Sequence, residues 1–288
     1  MPPLPTVLRD RLLTARNPDG GWPYYRGKTS RLEPTAWALL ALQAAGEAVT
    51  AEALTSWPRR EGWLVDRSSD AVNVAFNAMA GIALRQVDRS GSLVEALESL
   101  LLETRGRQLP QFPIIEQNNA LQAWPWLDRT FSWAEPTALA MVFLKRTPAA
   151  RRDARRAQRL NEAERLLLDR VCRQGGWNYG NANIFGASLE PYVPTSALCL
   201  LAMADKAHLE PVERSRAFLV EHRVAERSGM ALSLTRVALG VFDQPAGDVD
   251  DALVEAAAHT SFLDNLHLSA MALYALAGSR DGYEAFRV

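Results

Sequence analysis

Residues 33–42 read EPTAWALLAL and residues 135–144 read EPTALAMVFL, so an acidic residue, a proline and a small apolar run occur twice in the same order. Neither run has a polar face, and a helix that is apolar on every side is buried on every side. Proline suits the first helical turn, where its missing N–H has no intrahelical partner. Each stretch therefore predicts a buried helix with a glutamate at or next to its start.

An aromatic loop precedes each of these helices at a fixed spacing. Glu33 and Glu135 both come eleven residues after a tryptophan, and a third unit leads from Trp177 to Glu190 and Pro191 through a longer loop. The three loops read WPY at 22–24, WPW at 124–126 and GGWNY at 175–179. Recurring units of this kind indicate a fold assembled from repeated helical elements.

Apolar and charged helical segments alternate along the chain, and strand-like alternation of single residues is almost absent. The apolar segments are 35–45, 72–84, 137–144, 195–204, 230–242 and 266–277. The charged amphipathic segments are 50–56, 92–104, 154–173, 210–224 and 248–259. This alternation predicts an all-α fold, an α/α toroid of about six inner helices wrapped by about six outer helices, over residues 1–288 as a single domain. A helical solenoid would give a similar alternation.

Composition narrows the classes of partner. The net charge of −1 creates no field that would attract nucleic acid, and the two cysteines, Cys172 and Cys199, match no disulfide or metal spacing. The first residues, MPPLPTVLRDRLL, are interrupted by prolines and charges, and no apolar run reaches the roughly 18 residues of a membrane span. We therefore expect a cytoplasmic protein without a cofactor, for which contact with a membrane surface through an apolar patch stays open.

The tryptophan loops resemble the QW motifs of the prenyltransferase and squalene-cyclase repeat family. The resemblance rests on NPDGGW at 17–22, on QGGW at 174–177 and on the apolar helix at 34–42 that follows the first of them. It implies an α/α toroid whose cavity holds an elongated apolar ligand, an isoprenoid. Because many cyclases of this family couple two barrels, the resemblance also implies a second toroid subunit as a possible partner.

Two acidic motifs compete for the role of proton donor. The DVDD sequence at 248–251 has the form of the acid in cyclases, but the alternation of segments assigns it to an outer helix. Aspartates are common at a helix start because they cap its free N–H groups and complement the helix dipole. The resemblance instead places Glu33 and Glu135 where the cyclase acid stands, with Glu190 as a third candidate. We predict these three glutamates as catalytic residues, and the alternative is that each only caps its own helix.

Further candidates precede the inner helices. The sequence DNLH at 264–267 resembles the Asp-x-x-His zinc element of protein prenyltransferases, but Tyr192 falls near the expected cysteine ligand, so we predict no metal and assign His267 a catalytic role in assisting proton transfer. The residues predicted to bind the ligand are aromatic or acidic and lie before inner helices, namely Tyr24, Trp126, Trp133, Tyr192, Asp70 and Asp264.

These residues lead to one expected function and two alternatives. The expected function is acid-catalysed cyclisation or isomerisation of an isoprenoid, with aromatic faces stabilising a cation. The first alternative is a non-catalytic toroid, or a subunit of a larger enzyme, that binds a lipid or a protein. The second is an enzyme with a polar substrate, such as a glycosidase, which needs two carboxylates about 5 to 9.5 Å apart.

Overall fold

The computed structural model describes residues 2–66, 71–88, 91–112, 115–149 and 152–288. These residues contain twelve α-helices: α1 Leu4–Ala15, α2 Leu32–Ala44, α3 Glu52–Thr55, α4 Val74–Val87, α5 Ser92–Glu103, α6 Ala134–Lys145, α7 Ala154–Asp169, α8 Val193–Ala202, α9 Glu210–His222, α10 Gly229–Val241, α11 Gly247–His259 and α12 Leu266–Ala277. They also contain two antiparallel hairpins, in which β1 (Arg59–Arg60) pairs with β2 (Trp63–Leu64) and β3 (Asn183–Ile184) pairs with β4 (Ala187–Ser188).

The even-numbered helices form a closed inner ring. Each packs against the even-numbered helices before and after it, and α12 packs against α2. The odd-numbered helices lie outside this ring, and α1 packs mainly against α12. The predicted all-α toroid is therefore confirmed, because the contact between α12 and α2 closes the ring that a solenoid would leave open. Helix α1 is the outer helix that the predicted segments did not include.

Small and apolar side chains let the inner helices pack tightly. Every residue of α2 from Pro34 to Leu42 is buried, and so is every residue of α6 from Pro136 to Leu144. Between α4 and α6 there is no room for a side chain at Gly81, where a Cβ atom would lie 2.7 Å from Cζ of Phe143. The all-round apolarity that predicted these helices is thus the surface on which they pack.

Each repeat tryptophan joins its loop to two helices. The indole N–H donates to a leucine carbonyl in the last turns of the preceding outer helix, and the backbone N–H donates to a hydroxyl in the following inner helix. The acceptors are Leu12 and Thr35 for Trp22, Leu101 and Thr137 for Trp124, and Leu167 and Ser196 for Trp177. These bonds fix the register between loop and inner helix in all three units.

The same loops connect neighbouring inner helices along one rim of the barrel. The first N–H group of a helix has no intrahelical acceptor. In α4, α6 and α12 this group donates to the carbonyl of the aromatic residue two positions after a repeat tryptophan. The pairs are Val74 to Trp126 at 2.9 Å, Ala134 to Tyr179 at 3.1 Å and Leu266 to Tyr24 at 2.7 Å. The aromatic loops therefore lie at the rim where these inner helices begin.

Candidate active site

Three polar side chains occupy the same position in three inner helices. Glu33 in α2, Glu135 in α6 and His267 in α12 are each the second residue of the helix. Because α2 is a neighbour of α12 in the ring and is separated from α6 by α4 alone, these side chains lie around the mouth of the barrel, at the rim where the inner helices begin. They form two groups, which we call the Glu33 corner and the Glu135 corner.

The Glu33 corner consists of Glu33, Tyr24 and His267. The Tyr24 hydroxyl donates to Oε2 of Glu33 at 2.5 Å, and Nε2 of His267 lies 3.7 Å from Oε1. The edge of the Tyr24 ring meets the His267 ring, with ring centres 5.7 Å apart. Burial lowers the pKa of His267 although the charge of Glu33 opposes the shift. The imidazole is therefore held in its neutral form, and within the described chain its Nε2 has no hydrogen-bond partner.

The Glu135 corner consists of Glu135 and Thr195, which joins it from the neighbouring helix α8. Burial raises the pKa of Glu135, and the negative charge of Glu33 raises it further. The hydroxyl of Thr195 opposes this shift by donating to Oε1 of Glu135 at 2.7 Å. The two carboxyl groups thus interact electrostatically across the mouth, and both burial and the charge of Glu33 favour the protonated form of Glu135.

Glu190 and Asp264 lie outside this arrangement. Glu190 is exposed and accepts a hydrogen bond from Gln174. The bond from Trp177 to Ser196 shows the reason: Ser196 matches Thr35 and Thr137, so Pro194 occupies the position of the two other glutamates. Asp264 is exposed and pairs with Arg11 of α1 at 3.5 Å. Asp70, the remaining acidic candidate, lies outside the described residues.

The other predicted aromatic residues separate into two places on the rim. Trp126 meets the edge of Phe76 at the start of α4, with ring centres 6.2 Å apart. Trp133 stacks on Phe131 at 4.6 Å, and Tyr192 contacts Tyr179 at 4.9 Å. The latter two pairs precede α6 and α8, the helices that form the Glu135 corner.

A cleft of about 470 Å³ opens beside these two pairs. It lies between the loop that leads into α6 and the loop with hairpin β3–β4 that leads into α8. Of the predicted site residues only Trp133 lines it, and the lining residues that the sequence reasoning missed include Arg107, Gln117, Asn119, Phe131, Tyr179, Asn181, Asn183 and Phe185. The sequence does carry a signal for it, because three amide side chains stand together at 117–119 and amides are interspersed with aromatic residues at 178–185.

The DVDD sequence lies on outer helix α11, at the surface. Asp248 pairs with Arg223 and Asp250 with Arg236, both at 2.6 Å. The N-cap residue of α11 is Ala246, and Asp248, in the first turn, accepts the N–H of Val249 at 3.1 Å. The arginine partners give these aspartates a structural role.

Among the residues that the structure describes, no three histidine, cysteine, aspartate or glutamate side chains come together as metal ligands. None of the helices in the same ranges combines the length and apolarity of a membrane span.

Comparison with known proteins supports the toroid fold and gives no support to an isoprenoid ligand. No family model matches the chain, and no curated protein matches it. Among solved structures, a selenomethionine derivative of a GH76 α-mannanase from Bacteroides thetaiotaomicron matches with a TM-score of 0.58 and 10% identity, over 97% of this chain and 96% of that one. At this identity the likeness shows the fold alone.

The predicted membership of the prenyltransferase and squalene-cyclase repeat family is wrong, because the match is a mannanase and no family model supports the resemblance. The isoprenoid ligand and the second toroid subunit predicted from it are corrected for the same reason. The physical cause of the error is that Trp22 and Trp177 fasten loops to helices. A pattern that joins outer helix, loop and buried inner helix reports the toroid and carries no information about its ligand.

Proposed function

We propose that the protein is a carbohydrate-active toroid enzyme that cleaves glycosidic bonds or transfers glycosyl groups. In this proposal Glu135 is the proton donor and Glu33 is its anionic partner. The observation that carries this proposal is the raised pKa of Glu135 in the presence of the charge on Glu33. Acid-assisted cleavage of a glycosidic bond uses a carboxyl group that holds a proton together with a second carboxyl group, and a raised pKa suits Glu135 to the first of these roles.

The contacts of each carboxyl group fit its role. The glycosidic oxygen must gain a proton as its bond to the sugar breaks, and burial keeps that proton on Glu135. Because the hydroxyl of Thr195 donates to Oε1, the acidic proton is directed to Oε2. Glu33 is oriented by the hydroxyl of Tyr24 and supplies the negative charge that stabilises the positively charged sugar of the transition state.

The surroundings support a carbohydrate substrate. The cleft beside α6 and α8 combines aromatic side chains with the amides of Gln117, Asn119, Asn181 and Asn183. The solved structure of similar fold belongs to an α-mannanase. An aromatic surface with adjacent amides suits a ligand that has both apolar faces and hydroxyl groups.

The test is product analysis on polysaccharides. The purified protein is incubated with α-linked mannan and a panel of other α- and β-linked glycans, and new reducing ends and released oligosaccharides are measured. We expect cleavage of at least one glycan, and its loss in Glu135→Gln and Glu33→Gln. Glu210→Gln is the matched control, since Glu210 also stands before a proline at a helix start but is exposed on outer helix α9.

The outcome separates the proposed enzyme from the non-catalytic toroid. Release of the same products by the parent and by the control variant, but not by the two mouth variants, supports the acid and its partner. A folded parent protein that cleaves none of the glycans would overturn the proposal in favour of a toroid that only binds.

A further inference from the structure

Two buried amide oxygens in the cleft lack a partner. Gln117 and Asn183 line the cleft, and Oε1 of Gln117 and Oδ1 of Asn183 are buried and accept no hydrogen bond within the described residues. The orientation of the Gln117 amide is fixed, because its NH₂ group donates to Oδ1 of Asn181 at 2.6 Å and to Oδ1 of Asn119 at 3.4 Å. A buried acceptor that makes no hydrogen bond destabilises the folded protein. A ligand with hydrogen-bond donors would therefore be stabilised by these two oxygens.

The tip of the β3–β4 hairpin holds an aromatic ring that the turn does not explain. Phe185 and Gly186 form its two-residue loop, with φ of 53° and 78°. Left-handed backbone at both positions suits asparagine, aspartate or glycine and strains a bulky residue. Phe185 is also 78% exposed and lines the cleft. Local strain and exposure both disfavour phenylalanine here, which leaves contact with a ligand as its use.

The cleft and the Glu135 corner meet at the start of α6, although neither Glu135 nor Thr195 is among the residues that line the cleft. Trp133 lines the cleft and is the N-cap residue of α6, two positions before Glu135. The N–H of Ala134, between them, donates to the carbonyl of Tyr179, another residue of the cleft wall. A ligand that occupies the cleft therefore extends towards the proton donor.

We propose that this cleft is a subsite for one pyranose ring of an oligosaccharide, next to the bond that Glu135 protonates. Hydroxyl groups of the ring donate to Oε1 of Gln117 and Oδ1 of Asn183, and its apolar C–H face packs on Trp133 while Phe185 covers it from the hairpin. The inference rests on the proposed carbohydrate activity and adds to it the residues that hold the sugar. Pyranoses fit because one ring offers donors at its edge and an apolar surface on its face.

The test measures binding without cleavage. α-Linked mannotetraose, and then maltotetraose and cellotetraose, are titrated calorimetrically into Glu135→Gln, in which the proposed acid is absent. In this background we expect Asn183→Ala to weaken binding roughly threefold to tenfold, the range of one neutral hydrogen bond. Trp133→Ala should weaken binding at least about tenfold, because it removes the stacking surface.

Phe185→Asn separates a ligand contact from a structural role. Asparagine suits the left-handed turn, so the melting temperature should stay the same or rise while oligosaccharide affinity falls several-fold. Val254→Ser, which replaces another exposed apolar side chain, on outer helix α11, is the matched control and should leave affinity unchanged.

The results distinguish the subsite from the activity. If the parent cleaves glycans but the three cleft variants bind as tightly as their background, the subsite is overturned and the activity stands. If the oligosaccharides bind through the cleft residues but the parent cleaves nothing, the subsite stands and the activity fails. If none of the three oligosaccharides binds, the subsite is overturned.

Discussion

The Glu33 corner and the Glu135 corner begin from the same four residues, Glu-Pro-Thr-Ala, and yet differ chemically. Both glutamates are the second residue of their helix, and both are partly buried. Both helices also accept a hydrogen bond from a repeat tryptophan. The Glu33 carboxylate receives a tyrosine hydroxyl and faces a neutral histidine from α12. Glu135 receives only a threonine hydroxyl from α8, and its pKa is raised by burial and by Glu33. The motif sets where the backbone places a carboxyl group, and the groups that surround it in the assembled ring set its environment.

The largest expected difference between the corners is in their dependence on the leaving group. Glu135→Gln should slow cleavage of an alkyl glycosidic bond by about 10²- to 10⁴-fold, the usual contribution of a general acid, but should affect a dinitrophenyl glycoside little because that leaving group needs no proton. Glu33→Gln should slow both substrates. Steady-state kcat/KM on paired substrates measures this, and equal leaving-group dependence in the two variants would contradict the assignment of roles.

Stability should distinguish the corners next. Tyr24→Phe removes the hydroxyl that donates to the Glu33 carboxylate, so we expect a loss of about 1.5 to 3 kcal/mol in the free energy of unfolding, the range for hydrogen bonds to charged groups. Urea denaturation measures it. The control is Tyr25→Phe, whose ring is exposed and whose hydroxyl makes only a contact of 3.5 Å with Asn265. Equal losses in both variants would show that the Tyr24 hydroxyl adds nothing.

The pH profile should respond to Thr195. Its hydroxyl lowers the pKa of Glu135, so Thr195→Val should raise that pKa. Cleavage needs protonated Glu135 and declines as the pH rises through its pKa; the alkaline limb of kcat should therefore move to higher pH in the variant. Thr55→Val on outer helix α3 should leave the limb in place. A limb that stays fixed in Thr195→Val would mean that another group sets it.

The smallest expected effect is the electrostatic coupling between the corners. The charge of Glu33 raises the pKa of Glu135, so Glu33→Gln should lower it. The shift can be followed by NMR titration of the glutamate side-chain carboxyl carbon in ¹³C-labelled protein, with Glu210→Gln as the control. An unchanged Glu135 titration in Glu33→Gln would separate the two corners into independent sites.

The outer helix α1 shows why one element of the fold was missed. Its first residues include Pro3 and Pro5, which were interpreted as interruptions of the N-terminal segment. In the structure proline stands in the first turn of α1, where a missing N–H costs nothing and the fixed φ suits a helix. In the inner helices a proline near the start is not mistaken for an interruption, because a long apolar run follows it.

Glu190 shows why the candidate site could be only partly predicted. Counting from the Glu-Pro pair puts Glu190 in register with Glu33 and Glu135, whereas the longer third loop moves the helix start to Val193. The bonds from Trp177 to Ser196 and from Tyr192 to Trp177 reveal the register. The amide-lined cleft was missed for a similar reason, since its two walls come from separate loops that α6 and α8 bring together.

The sequence by itself determined which helices are inside this protein, because a segment that is apolar on all sides can be stable only when it is surrounded. It also determined that Glu33, Glu135 and His267 precede or begin such helices. The tertiary structure alone decided which of them interact. Closure of the ring places α12 beside α2 and α8 beside α6, and burial and neighbouring charge, which set the pKa of a carboxyl group, depend on those contacts and not on the motif.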